Sequence, residues 1–129
     1  MSGSNQDDPT PDLDPERLFT GEPGALAAYR VVGDMLEAIG PVEVRTTRSQ
    51  VAFRRRRGFA FLWLPVSWAR GPGVLVVLSI ALSRQDGSPR WKEVVHPGRT
   101  WMHHLEVRAL DDLDEEVRAW LAEAFAAAG

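Results

Sequence analysis

Cysteine is missing from all 129 residues of the chain. That excludes disulfides, thiolate metal sites and a cysteine nucleophile, and it fits a reducing cytoplasm. Lysine is nearly missing too: Lys92 stands alone beside fourteen arginines, so almost every positive charge is a guanidinium. Such a preference raises arginine counts everywhere, and a run of arginines therefore carries less meaning than it would in a lysine-rich chain. Long apolar runs are also lacking. The longest, Val74 to Leu82, is about half of what a membrane-spanning helix needs. The start, MSGSNQDDPTPDLDPE, is acidic and has no apolar segment, so it reads neither as a secretory nor as a transit peptide. The motifs HExxH, GxxxxGK[ST], GxGxxG and GxSxG are all absent, which removes the commonest signatures of zinc proteases, nucleotide binders and serine hydrolases.

What is present is ordinary globular material, 44% apolar and 26% charged. A chain of this length can close one core. Its charge is strongly segregated along the sequence. Residues 1–40 carry eight acids against two arginines, residues 41–109 twelve bases against four acids, and residues 110–129 six acids against Arg118. Two explanations stand side by side. Acidic ends can pack against a basic middle and neutralise it, or the basic middle can offer a surface to an anionic partner.

The first 15 residues are polar, with three prolines and no periodicity, and are expected to form a disordered acidic tail before a single domain over 16–129. A short helical turn is expected at 14–19. A helix follows from Glu22 to Ile39, with Thr20 as N-cap and a stop at Gly40-Pro41. Its stripe is Ala25, Ala28, Tyr29, Val32, Met35, Leu36 and Ile39. Alternation predicts strands over PVEVRT, SQVAFRR, Phe59–Leu64, Val74–Ser83 and Thr100–Arg108, with a long loop over 84–99. In the third of these, Phe59, Phe61 and Trp63 share one face. A second helix runs from Leu113 to Ala127, capped by Asp111 or Asp112 and lined by Leu113, Val117, Trp120, Leu121, Ala124 and Phe125. Short connections favour antiparallel pairing. The expected fold is α+β: an antiparallel sheet of about five strands with an N-terminal and a C-terminal helix packed on it.

Chemistry-bearing residues are few. His103 and His104 are neighbours on a predicted strand, so they point to opposite faces and cannot chelate one metal together. No catalytic residue, metal or cofactor is assigned; an acid–base role for His103 or His104 is the one opening for an enzyme. Arg45, Arg48, Arg54, Arg55, Arg56 and Arg57 fall within thirteen residues and suit phosphates or carboxylates. The candidate ligand-binding set is Arg45, Arg48 and Arg54, with Trp91, Lys92 and His104 at the rim. Trp63, Trp101 and Trp120 are expected in the core. The loop tryptophans Trp68 and Trp91 either line a pocket or fold back as a lid on the core. The expected partner is an anionic small molecule or protein segment, and the alternative is a protein-interaction or homodimerisation domain. Nucleic acid is the weaker partner, because aromatic interleaving and a groove-reading element are not evident. No membrane association is expected.

Three stretches carry a resemblance: GPVEVRTTRSQVAFRRRRGFAFLWLP, SPRWKEVV and HHLEVRALDDLDEEVRAWLAEAF. Together they resemble the bacterial family called domain of unknown function 5655, over about residues 17–127. Arg48 stands where that family more often has lysine. The resemblance implies the helix–sheet–helix fold, a cytoplasmic bacterial setting and a binding or accessory role. It carries over no catalytic residues.

Overall fold

The computed structural model describes residues 14–65, 73–96 and 98–129. The expected disordered tail, Trp68 and the Gly71-Pro72 break lie outside them or at their boundary. In chain order the elements are α1 (Pro15–Leu18), α2 (Pro23–Ile39), β1 (Glu43–Thr46), β2 (Gln50–Arg54), β3 (Gly58–Trp63), β4 (Val76–Leu82), β5 (Glu93–Val95), β6 (Trp101–Val107), a 3₁₀ turn at Leu110–Asp112 and α3 (Glu115–Ala127). The strands form one antiparallel sheet in the order β1-β2-β3-β4-β6-β5. The fold is therefore α+β with helices before and after the strands in chain order, and the sheet has six strands. The sixth is β5, three residues inside the stretch expected to be a loop. Three residues are too few to show alternation; β5 exists because β6 supplies its hydrogen bonds.

Helix α2 begins where Pro23 pre-sets the first turn. Thr20 does not cap it. The Thr20 hydroxyl instead donates to the Glu16 carbonyl at the end of α1, and Gly21, at φ +88°, turns the chain between the two helices. Helix α3 starts later than the sequence pattern indicates. Asp114, not Asp111 or Asp112, accepts from the Val117 N–H as N-cap. Asp112 Oδ2 takes the N–H groups of Arg108 and Ala109, which closes the 3₁₀ turn and pushes the helix start onward.

Both helices pack on one face of the sheet. Ala28, Val32 and Leu36 of α2 and Val117, Leu121 and Ala124 of α3 share a buried cluster with Val51, Phe53, Ala60, Leu62, Leu78, Ile80 and Leu105. Register explains the membership: Phe53, Ala60, Ile80 and His103 pair across four strands, as do Val51, Leu62, Leu78 and Leu105. Phe59 departs from simple alternation. A register shift at Phe53/Arg54 pairs Phe53 with Ala60 and Arg54 with Gly58, so Phe59 is the extra residue of a β-bulge. The bulge turns Phe59 into the core, edge-on to Phe125 at 5.9 Å, away from Phe61 and Trp63. Among the expected core tryptophans, Trp120 is buried, Trp101 is half-buried against His96 at 4.1 Å, and Trp63 is 38% exposed.

The arginine run has a structural task. The β2–β3 hairpin wraps the C-terminal end of α3. Arg55 Nη1 donates to the Phe125 carbonyl at 2.9 Å, Arg57 Nη2 to Ala127 at 3.0 Å, and the Arg56 N–H to Ala128 at 3.0 Å. The Arg55 guanidinium also lies 4.0 Å from the centre of the Phe125 ring. A helix C-terminus leaves carbonyls unpaired and carries partial negative charge, so cations belong there. Replacing Arg55 and Arg57 together by alanine is expected to lower unfolding free energy by about 1–2 kcal/mol. Urea titration at low and high salt reads this, and the difference should shrink as salt screens the helix end.

Candidate functional site

Because both helices occupy one face, alternation leaves a second face whose side chains face away from the core. One in-register row crosses that face: Arg45, Ala52, Phe61, Ser79, His104 and Glu93. A neighbouring row holds Gln50, Trp63, Val77 and Glu106. Small residues in the middle, Ala52, Val77, Ser79 and Ala81, are buried between the larger side chains.

At the β1 end the row is charged. Arg45 and Arg54 flank Glu43, at 3.8 and 3.7 Å. The Arg54 contact is longer than a hydrogen bond, so Glu43 offsets its charge without directed bonding. A methyl group added at Gly58 would come within 2.8 Å of Phe61 Cζ and 3.6 Å of Arg54 Nη1. The aromatic ring and the guanidinium thus converge over a residue that has no side chain.

In the middle of the face, Ser79 Oγ and His104 Nδ1 are 2.6 Å apart. The hydroxyl donates when the ring proton sits on Nε2, and Nδ1–H donates to the hydroxyl in the other tautomer. Burial lowers the His104 pKa; Glu93, across the strand pair, pulls it up, and His103 adds to the lowering. A serine beside a histidine invites comparison with a nucleophile and its base. Ser79, however, is only 1% exposed, so its oxygen is closed to an approaching electrophile. The pair is a buried hydrogen bond in the sheet. Alternation puts both residues on strands but does not give the register across residues 84–99 that sets Ser79 opposite His104.

The structure separates the six residues proposed from the sequence. Arg45 and Arg54 share the β1 end of the open face. Arg48 sits exposed in the β1–β2 turn, beside Asp14, Arg17 and Leu18 around a depression of about 380 Å³. His104 lies four strands from Arg45, about 19 Å by ordinary strand spacing. Lys92 is exposed and its backbone N–H donates to the His104 carbonyl. Trp91 is 9% exposed on the helix side, its ring 4.1 Å from Trp120 and 4.8 Å from His103.

Trp91 belongs to a network that ties segment 84–92 to α3. Its indole N–H donates to Asp86 Oδ2, which also takes the Ser88 N–H, while Oδ1 takes Arg84. Burial alone would raise the Asp86 pKa; these donors outweigh it and hold the carboxyl low. His103 is fully buried, with Nδ1 donating to the Trp101 carbonyl and Nε2 accepting from the Asp86 N–H, so both ring nitrogens are used. Arg84 forks onto Glu123, and Arg90 reaches Asp114, Glu116 and the Asp112 carbonyl. Among the described residues, no group of three His, Asp or Glu side chains could hold a metal ion, and no helix is long and apolar enough to cross a membrane.

Two helices on one side of an antiparallel sheet, with an aromatic and guanidinium-bearing second face, define a small helix–sheet–helix α+β domain. The chain belongs to the family described as Domain of unknown function (DUF5655), whose model matches residues 16–128. No curated protein and no solved structure matches the chain.

The lowered pKa of His104 sets a direction for stability against pH. The unfolded chain takes up this proton at higher pH than the native one, so the contribution is whole above about pH 6.5 and is lost as pH falls below it. Urea titrations between pH 7.5 and 5 should show declining stability, with a shallower decline in His104→Gln. An equal slope in that variant would assign the pH dependence to other groups.

Proposed function

We propose that the domain is a non-enzymatic binding module that takes an anionic small molecule or protein segment on the open face of its sheet. The observation that carries this reading is the Arg45–Ala52–Phe61 row, with Arg54 converging on Phe61 over Gly58. An apolar body lies on Phe61 across the small Ala52, and its carboxylate or phosphate meets the guanidinium groups, which suit planar oxyanions. His104, four strands from Arg45, and Lys92, next to β5 one strand further, belong to this reading only for a partner long enough to span the face. Arg55 and Arg57 do not contribute, because they hold the end of α3. Their engagement also weakens the nucleic-acid alternative, which needs a continuous basic surface. The setting that goes with the family resemblance and a cysteine-free chain is the bacterial cytoplasm.

A second reading, self-association or protein docking through the same face, is favoured by Trp63, a large aromatic 38% exposed beside Phe61. Sedimentation separates the two: concentration-dependent dimerisation lost in Trp63→Ser supports it, and a monomer at every concentration removes the homodimer.

The anion reading is tested by titrating phenyl phosphate and 3-phenylpropionate into isotope-labelled protein, with 3-phenylpropanol as neutral control. Amide shifts at Ala52, Arg54 and Phe61 are expected for the anions alone. Arg54→Gln should weaken binding about five- to tenfold, roughly the worth of one exposed charged contact. No response at these amides, or an equal response to the alcohol, overturns it.

A further inference from the structure

A second concavity lies between α2 and the β1 edge, on the helix side of the sheet. It measures about 560 Å³, within the range of small-molecule sites. Its floor is apolar, made by Val42 and Val44 with Phe53 behind them. One wall is Tyr29, whose ring stacks on Phe53 at 6.3 Å with 17° between the planes. Tyr29, Gly33 and Glu37 recur at four-residue spacing on α2, so they form one stripe along the cleft, with Asp34 beside it.

Gly33 is the telling residue. It sits in the interior of a 17-residue helix, where glycine is among the poorest choices. Its backbone is not in the left-handed region, and a Cβ there would meet nothing within 4 Å. Neither chain conformation nor close packing calls for glycine. What its missing side chain preserves is the open space of the cleft.

The cleft is acidic on balance, with Glu16, Asp34 and Glu37 against Arg30. Its cation, Arg30, is already engaged by both oxygens of Glu16, at 3.1 and 3.2 Å. Asp34 and Glu37 have no cation within 4.0 Å among the described residues. The Tyr29 hydroxyl pKa is raised first by burial and then by Glu16 and Asp14, carboxylates at the α1 end of the cleft, apart from Asp34 and Glu37.

The geometry points to a binding site for a small organic cation, an alkyl- or arylammonium or guanidinium compound, in the cleft between α2 and β1. Its charged head lies between Asp34 and Glu37, against the face of Tyr29, where a cation is attracted by the ring. Its apolar body rests over Val42 and Val44, in the space above Gly33. This site is separate from the open face, lies on the other side of the sheet, and has the opposite charge preference.

The probes are phenethylamine and agmatine, with 2-phenylethanol and phenylacetate as neutral and anionic controls, titrated into the isotope-labelled full chain. The expected result is saturable amide shifts at Tyr29, Gly33 and Val44 for the two cations only. Asp34→Asn combined with Glu37→Gln should weaken binding at least tenfold; both positions are exposed, so the fold is retained. Gly33→Leu replaces glycine by a good helix former pointing into open space; it should melt no lower than the parent and yet lose cation binding, because the side chain occupies the cleft. Absence of these shifts with both cations, an equal response to phenylethanol, or undiminished binding by folded Gly33→Leu overturns the assignment.

Discussion

Two amphipathic helices can cover only one face of a six-stranded sheet, and most of what distinguishes this molecule follows from that constraint. The covered face becomes the core, continuous from Val51 on β2 to Leu105 on β6 and closed by Val32 and Leu36 above it and Val117 and Leu121 beside them. Among the described residues, the opposite face carries only what the strands supply. Small residues fill its middle, Phe61 and Trp63 stand over them, and charged groups collect at the ends. Burial of Ser79 and the Ser79–His104 bond are consequences of the same arrangement: a polar pair in a crowded row satisfies itself rather than facing water.

Charge segregation is resolved by topology into three separate tasks. Arg84 and Arg90 pair with carboxylates of α3 and its approach, which holds segment 84–92 down and seats Trp91 against Trp120. Arg55 and Arg57 bind helix carbonyls rather than acids, so their complement is the backbone dipole and not an acidic side chain. Arg45 and Arg54 remain on the open face around Glu43. A charge tally along the chain treats these as one feature; the fold divides them. Internal neutralisation by acidic ends therefore holds for Arg84 and Arg90, while the proposed anion surface would draw on Arg45 and Arg54.

The same division gives the molecule two regions of opposite polarity on opposite sides of the sheet, of which the acidic one is a cleft. On one side guanidinium groups meet Phe61 over Gly58. On the other, Tyr29, Asp34 and Glu37 line a cleft into which Gly33 projects no side chain. The two glycines act differently: Gly58 lets Phe61 and Arg54 pack directly over its backbone, whereas nothing packs over Gly33. The apolar stripe read from the sequence passes over Gly33, since a glycine's reason for being there is visible only when its surroundings are.

Period-3.6 and period-2 patterns in this chain determined its class, the two helices and their stripes, the five longer strands and the antiparallel habit, because each depends on residues a few positions apart. Alternation also assigned His103 and His104 to opposite faces, and they are. Everything that depends on which distant segments meet was decided by tertiary structure. The order β4-β6-β5 placed Ser79 against His104, β6 made a strand of Glu93–Val95, and a bulge at Gly58–Phe59 turned Phe59 inward while Trp63 stayed at the surface. The start of α3 moved to Asp114 because Asp112 was taken by the 3₁₀ turn. Trp91 went to the core because Asp86 could take its indole proton there. Local sequence sets which backbone conformations cost least; it does not encode which partners a side chain will find when a sheet closes over contacts many residues apart.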